Sequence, residues 1–253
     1  MDPYRFPPVA ALLDGAHHLL MGLAGLLQPF IGVSSAAVAV VLVTLLVRAV
    51  LIPVGVSLAK AERTRARLAP RLAELRRRHG TDPERFQRET MALYASQGAS
   101  PFAGCIPMLV QAPVVGVIYA LFILPTIAGH PNALLEQQLA GVPLGSSLAG
   151  SIAAGTLDPA SLVVFLVVVA SIALVGEVTR RVFGTPQQGA TDAAPVSPLA
   201  TRAAGRLLGL LPFITAVVAV FVPLAAALYL LVTVAWTLGQ RAVLRRVFPL
   251  DAG

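Results

Sequence analysis

Four polar side chains lie inside apolar runs of this sequence, where a charged or hydrogen-bonding group needs a reason to be present. Arg48 is the only charge in residues 34–58, and Thr44 lies four positions before it, on the same face of a helix. Gln111 and Tyr229 lie in two later apolar runs. If these groups converged in a low-dielectric cavity, Arg48 would attract an acidic chain segment. The residue types therefore predict a polar binding cavity.

A structural interpretation of the same residues stays open from spacing alone. Arg48 would then bond to backbone carbonyls or helix ends, at a cost of about 3 kcal/mol for its place in the middle of a span. A single Gln or Tyr in a membrane span commonly forms a hydrogen bond between helices. Both interpretations require that the surrounding chain crosses a membrane.

Composition indicates such a chain. The 253 residues are 57% hydrophobic and 12% charged, and the mean hydropathy is +0.80, whereas soluble domains carry roughly 25% charged residues. We therefore predict an all-α, polytopic membrane protein. The net charge of +7 suits anionic lipid or RNA phosphates and also reports topology. A single cysteine, Cys105, excludes an internal disulfide framework and is interpreted as a packing residue.

The alternation of apolar runs and linkers predicts five transmembrane helices. They are expected at 34–58, 101–128, 159–176, 206–222 and 223–240. An external tail with an interfacial amphipathic helix precedes them at 1–33, and a helical hairpin is inserted at 59–99. An external loop at 129–158, a linker at 177–204 and a short basic tail at 241–253 complete the chain.

The distribution of basic residues gives the expected orientation. Five crossings place 59–99, the second linker with its flanks, and the C-terminal tail on one side of the membrane, and these segments hold 17 of the 19 basic residues. The positive-inside rule then predicts an external N-terminus and a cytoplasmic C-terminus.

The hairpin has clear internal signals. Leu68, Leu72 and Leu75 lie on one face of a helix that Gly80 should end, and Asp82-Pro83 supplies an N-cap and a first-turn proline for a second helix ending at Gly98. Arginines on the opposite face are candidate contacts for lipid head groups, ribosomal RNA or a client chain; a solvated charged face is the alternative. These candidates are Arg71, Arg76, Arg77 and Arg78.

The order of these motifs resembles the YidC/Oxa/Alb membrane insertase family over residues 10–246. The resemblance rests on TLLVRAVLIP (44–53), the charged hairpin, GCIPMLVQAPVVGVIYAL (104–121) and the closing hairpin from 210 to 240. Ala225 stands where the family usually has a glycine. The resemblance implies a compact bacterial plasma-membrane insertase without a large external domain.

The resemblance also implies roles for particular residues. Arg48, Thr44, Gln111 and Tyr229 would line a hydrated groove that is closed to the outside, while Pro53, Pro107, Pro113 and Pro223 would kink the helices around it. Clients would be nascent membrane proteins, with anionic lipid around the chain and the Sec translocon and ribosome as candidate partners; DNA is not expected.

Catalytic signatures are absent from the sequence. It contains no GxxxxGK[ST], HExxH or GxSxG motif, so we expect no enzyme, no ATP use, no cofactor and no metal. His17 and His18 are adjacent and point about 100° apart on a helix, which favours interfacial histidines over a metal site. Two other functions stay open: a non-inserting assembly chaperone or scaffold, and an anion or solute transporter, although the unequal spans show no inverted repeat.

Overall fold

A computed structural model describes residues 7–80, 82–98, 116–127, 129–183 and 213–247. The fold is all-α, as predicted. The helices are α1 (Pro7–Ile31), α2 (Ser35–Val50), α3 (Ile52–His79), α4 (Pro83–Ser96), α5 (described over 116–123), α6 (Leu148–Ala153), α7 (Pro159–Phe183), α8 (described over 213–221) and α9 (Leu224–Val247). Short 3₁₀ turns lie at Gly32–Ser34 and Ala133–Leu135, and four two-residue strands are β1 (Thr126–Ile127), β2 (His130–Pro131), β3 (Gln138–Leu139) and β4 (Val142–Pro143).

Three stretches within the described residues are long and apolar enough to cross a bilayer. They are Val9–Val50, Pro159–Phe183 and Leu224–Val247. The first combines α1, a 3₁₀ turn and α2. Much of the second and fourth predicted spans lies outside the described residues, so the count of five spans stays a prediction.

The helix predicted over 34–58 is divided at Leu51, which lies between α2 and α3 with φ −84° and ψ 4°. Pro53 explains the break in the helix, because proline has no N–H to donate and its ring clashes with the carbonyl four residues earlier. Beyond this break α3 continues without interruption to His79. The helix α3 therefore continues across position 58, where the predicted span was expected to end and the predicted hairpin to begin.

The described chain forms two compact units, and the first contains residues up to Ala49 and from Val115 to Leu238. Its core includes small residues at the starts of α2 and α9, together with larger side chains from α7 such as Phe165 and Ile172. On α1, Leu13 and Leu20 are buried. Large side chains on the opposite face of α1 are exposed, as expected for a surface in contact with lipid; they include Leu12, Leu19, Leu26 and Phe30.

The predicted external loop is a folded segment. β1, which immediately precedes this loop, pairs with β2 inside it, and β3 pairs with β4 within the loop; both pairs are antiparallel. Leu134 and Leu144 have no exposed surface, and Val142 is 2% exposed. A type I′ turn joins β3 to β4, because Ala140 (φ +49°) and Gly141 (φ +87°) both have positive φ. We call residues 129–147 the clasp.

The second unit contains residues 50–114 and 239–253, of which 50–80, 82–98 and 239–247 are described. Here α3 packs against α4, and Leu68 and Tyr94 are its buried side chains in the described part. Asp82 caps α4 by accepting a hydrogen bond from the Arg85 N–H at 3.0 Å, with Pro83 in the first turn, as predicted. The second helix ends at Ser96, two residues before the predicted Gly98.

Gly80 follows the end of α3, as predicted, although it has an ordinary right-handed conformation, with φ −63°. A β-carbon at this position would lie 2.6 Å from the carbonyl oxygen of Arg76. The glycine is therefore required by a close approach of the backbone and not by a left-handed turn.

Candidate functional site

Arg48 lies in the last turn of α2 and is the only charged residue of that helix. Its side chain is half-buried. Within the described part of the chain, no carboxylate forms an ion pair with it. A cation held in an apolar helix without a local counter-ion is suited to attract an anionic group from elsewhere.

Thr44 lies one turn before Arg48 and is 2% exposed. Its hydroxyl donates a hydrogen bond to the Val40 carbonyl at 2.7 Å, a contact within α2 itself. The side-chain proton is therefore used inside the helix, and the role of Thr44 as a groove residue stays a prediction.

Tyr229 lies in the second turn of α9 and is 7% exposed. Its ring packs against the ring of Phe122 on α5, with centroids 6.0 Å apart and planes inclined by 50°. This is the contact that the structure gives Tyr229, and it joins two helices of the first unit. The convergence of Tyr229 with Arg48 on one cavity stays a prediction.

Burial along α2 and α9 changes sharply near these residues. In α2 the buried side chains begin at Ser35 and none follows Thr44. In α9 all six residues from Leu224 to Tyr229 are buried and none follows them. A helix buried on consecutive residues is enclosed on every side. We call these first turns the packed end, and the later turns, 45–49 and 230–238, the open end.

At the packed end, α9 begins without a capping side chain of its own. Instead, the Leu224 N–H donates to the Ser146 carbonyl at 2.8 Å, and the Ala225 N–H donates to the Leu144 carbonyl at 2.9 Å. Leu224 and Ala225 have no exposed surface. Each buried N–H would cost about 1–3 kcal/mol without a partner. The clasp therefore supplies the cap that the start of α9 requires.

Pro223 immediately precedes α9 and follows the described end of α8. Proline has no N–H, so the first donor of the helix is that of Leu224. The Pro223 carbonyl accepts a hydrogen bond from the Ala227 N–H at 3.0 Å and begins the helical pattern. Pro223 thus lies where the chain changes from α8 to α9, and its assignment as a kink stays a prediction.

The sequence analysis missed two residues of this region. Asn132 is 3% exposed, and its side chain forms hydrogen bonds with backbone groups that precede it and follow it in the chain. Gly145 has no room for a side chain, because a β-carbon would lie 2.8 Å from the Leu135 β-carbon and 2.9 Å from its carbonyl oxygen. The signal for Asn132 was its place before Ala-Leu-Leu, where asparagine caps a helical turn.

The predicted hairpin contacts lie in the second unit. All four arginines, Arg71, Arg76, Arg77 and Arg78, are exposed on α3. Arg78 forms an ion pair with Glu74 one turn earlier. A cavity of about 400 Å³ between α3 and α4 is lined by both of these residues, by Arg71, and by apolar groups such as Leu75 and Leu93.

Other predicted residues lie outside the described part of the chain. These are Gln111, Pro107, Pro113 and Cys105, so the polar part of the second predicted span has no structural description. Among the described residues, no group of three or more His, Cys, Asp and Glu side chains is placed to hold a metal ion. His18 lies 3.6 Å from Asp14 on α1, as a helical (i, i+4) pair.

Comparison with known proteins identifies the class to which this fold belongs. The sequence profile of the family described as "60Kd inner membrane protein" matches residues 26–251. A Streptomyces avermitilis protein named "Membrane protein insertase YidC" is 28% identical over 223 residues, covering 83% of this chain and 51% of that protein. Proteins of the same name from Clostridium perfringens and Oceanobacillus iheyensis are 28% and 34% identical over 46% and 36% of this chain, and over 48% and 38% of their own lengths.

This chain belongs to the 60Kd inner membrane protein family, because the family profile matches almost its whole length. The resemblance found from the sequence motifs is thereby confirmed. The matched segments span about half, or less, of the relatives' own lengths. The chain is a membrane protein of this family.

Proposed function

We propose that this protein is a membrane protein insertase that works without ATP and without a catalytic centre. A hydrophilic tail of a small or single-span client enters a hydrated groove from the cytoplasmic side and meets Arg48. The apolar segment of the client then moves sideways into lipid. Named relatives that are insertases support the class of activity.

The change in packing along α2 and α9 carries this proposal. Transfer of a polar tail across about 30 Å of hydrocarbon is expensive, because each unsatisfied backbone group costs several kcal/mol. A groove that is open at one end and closed at the other shortens the distance over which the tail loses water. The single charge of α2 lies one turn beyond its last buried residue, Thr44, and so at the open end.

The proposed orientation is five spans with an external N-terminus. It requires the start of the first span, the loop 129–158 and the start of the last span to lie on the same side. Contacts in the first unit support this: the Ala140 N–H donates to the Ser34 hydroxyl at 3.4 Å, and the clasp caps Leu224 and Ala225. Impermeant labelling of cysteines introduced at exposed positions 138 and 243 in intact cells tests the orientation, with only the first expected to react.

The hairpin arginines are proposed to recruit clients or anionic partners from the cytoplasm. Their exposure, and the cavity between α3 and α4 that offers charged rims around apolar groups, support this role. Anionic lipid, the ribosome and the Sec translocon are candidate partners. The same features would serve a chaperone that assembles membrane proteins without inserting them.

Insertion into liposomes tests the proposal. The purified protein is reconstituted, and protease-protected insertion of a single-span client with an acidic tail is measured for wild type, Arg48→Ala and Arg48→Lys. We expect Arg48→Ala to lower the insertion rate by about tenfold, equivalent to ~1.4 kcal/mol, and Arg48→Lys to retain most of it, because the attraction depends on charge. Arg241→Ala, which removes an exposed arginine outside the hairpin, is the matched control and should insert normally.

Two results would change this conclusion. Equal insertion by all variants would make Arg48 structural and leave the groove's shape and hydration as the basis of activity. Failure of correctly folded wild type with several clients would favour the assembly chaperone.

A further inference from the structure

The clasp is joined to the bundle through the side chain of Asn132. Its amide nitrogen donates to the Leu121 carbonyl at 2.7 Å and to the Leu124 carbonyl at 2.9 Å, where α5 ends. Its amide oxygen accepts from the Leu134 N–H at 3.2 Å, which begins the 3₁₀ turn. One buried side chain thus forms hydrogen bonds with two carbonyls at the end of α5 and with one N–H at the start of the 3₁₀ turn. Groups at helix ends lack a partner within the helix.

From Asn132 the hydrogen bonds continue through the clasp to α9. The Gly145 N–H donates to the Leu135 carbonyl at 2.9 Å, and the Leu144 N–H donates to the Gln137 carbonyl at 2.7 Å. These two bonds hold the segment after β4, which presents the Leu144 and Ser146 carbonyls to the start of α9. The end of α5 and the start of α9 are therefore connected through the clasp by successive hydrogen bonds.

The clasp contains buried apolar residues, and Leu144 among them lies against the start of α9. Leu134, Leu144 and Leu224 have no exposed surface, and the clasp contains neither lysine nor arginine. It also contacts α1 through the preceding strand β1 and contacts the turn before α2 through β3. The clasp therefore lies against the start of α9 and the turn before α2, and β1, which pairs with it, lies against α1.

We propose that Asn132 is a positioning residue that holds the clasp as a permeability seal across the packed end of the bundle. The proposed groove admits water from the open end, so a continuous water path through the protein is prevented only where the packed end stays closed. Asn132 is suited to this role because it combines two donors with an acceptor; aspartate would keep the acceptor and lose both donors. The inference rests on the proposed function only in assuming that the open end is hydrated.

Cysteine labelling in sealed vesicles tests the seal. In a chain in which Cys105 is replaced by serine, Thr44→Cys places a thiol at the limit of the packed end, and Gln138→Cys, on the exposed surface of β3, reports which side the clasp faces. An impermeant thiol reagent is added from the clasp side. We expect the Thr44→Cys thiol to be protected in the parent, and its labelling rate to rise at least tenfold after Asn132→Ala or Asn132→Asp.

Ion leak from the same vesicles, without any client, is the second readout. Asn132→Ala should raise the leak, whereas Gln138→Ala, which removes an exposed amide of the clasp, should not. Gly145→Ala gives a smaller disturbance of the same segment if Asn132→Ala does not fold, and it should raise both labelling and leak.

The seal is refuted if Asn132→Ala and Gly145→Ala lower the temperature of unfolding while labelling and leak stay at the parent level. That result would make Asn132 a stabilising residue only. Failure of the proposed function is separately visible, because it would abolish client insertion by wild type without altering leak.

Discussion

The first turns of α2 and α9 contain all the buried residues of these two helices, whereas the later turns contain none. Small residues make the difference at the packed end: Ala36, Ala37 and Ala39 on α2, and Ala225 to Ala227 on α9, are all at most 2% exposed. Alanine lets backbones approach closely where no hydrophobic driving force acts between helices in lipid. Further along α2 the chain has larger side chains: Leu42 lies near the limit of the packed end and Leu46 lies in the open end. Both are exposed.

Packing therefore differs along the same two helices. Close packing and the clasp hold their first turns, whereas no described residue of their later turns is buried. Arg48, the only charge of α2, lies beyond the last buried residue of that helix.

The largest expected effect contrasts two leucines. Leu224→Ala should lower the free energy of unfolding by about 3 kcal/mol, because it leaves a cavity around a fully buried side chain at the packed end. Leu46→Ala, at a position that is 60% exposed, should change it by less than about 0.5 kcal/mol. Thermal and denaturant unfolding in one detergent would measure both. Similar losses for the two variants would mean that the ends do not differ in packing strength.

A smaller effect of opposite sign is expected in the turn of the clasp. Ala140 has φ +49°, a left-handed conformation that costs a non-glycine residue roughly 1–2 kcal/mol, and asparagine tolerates this conformation better. Ala140→Asn should therefore stabilise the protein by about 0.5–1 kcal/mol and should reduce any residual ion leak. Unfolding and leak measured together would check this, and a destabilised variant would show that the turn is not the strained element.

The sequence indicated the cap of α4 and the family, but it did not indicate the clasp. Asp82 and Pro83 are local signals, read within a few residues, and the structure places both as expected. Asn132 depends on partners at Leu121 and Leu124, and the partners of Leu144 and Ser146 lie far along the chain. A Gly/Ala/Ser-rich segment suggests a loop because composition contains no record of such distant pairing.

The break at Leu51 lies two residues before Pro53, where the sequence analysis expected a kink. The apolar pattern of residues 34–58 is continuous, and hydropathy measures how well a segment suits lipid, not whether its backbone is unbroken. Pro53 was expected to kink the helix. From sequence alone, a proline in the first turn of a new helix cannot be distinguished from a proline that kinks a continuous helix. Only the conformation of Leu51 distinguishes them.

The smallest effect concerns the pH dependence of the cap at the start of α7. Asp158 accepts hydrogen bonds from the hydroxyl and the N–H of Ser161, and these bonds hold the pKa of its carboxyl below the ordinary value. Because the pKa is lower in the folded state, the Asp158–Ser161 hydrogen bonds stabilise the fold fully above the ordinary carboxyl pKa of about 4. This stabilisation is lost as the pH falls through the lower pKa of the folded state.

The unfolding temperature of wild type should therefore decrease slightly more below pH 4 than that of Asp158→Asn, because asparagine also caps a helix but does not titrate. If the unfolding temperatures of the two proteins instead change with pH by the same amount, this cap contributes nothing measurable to stability. The difference between the two ends would then rest on packing alone.

The cap of α9 has a consequence for the time at which the protein becomes complete. The carbonyls of Leu144 and Ser146 precede the amides they receive by about 80 residues. At a synthesis rate of roughly 5–20 residues per second, the clasp waits several seconds before its partners emerge. The capping of α9 is thus a late step in the folding of the first unit, and a chain that stops before Leu224 lacks both amides with which these carbonyls pair.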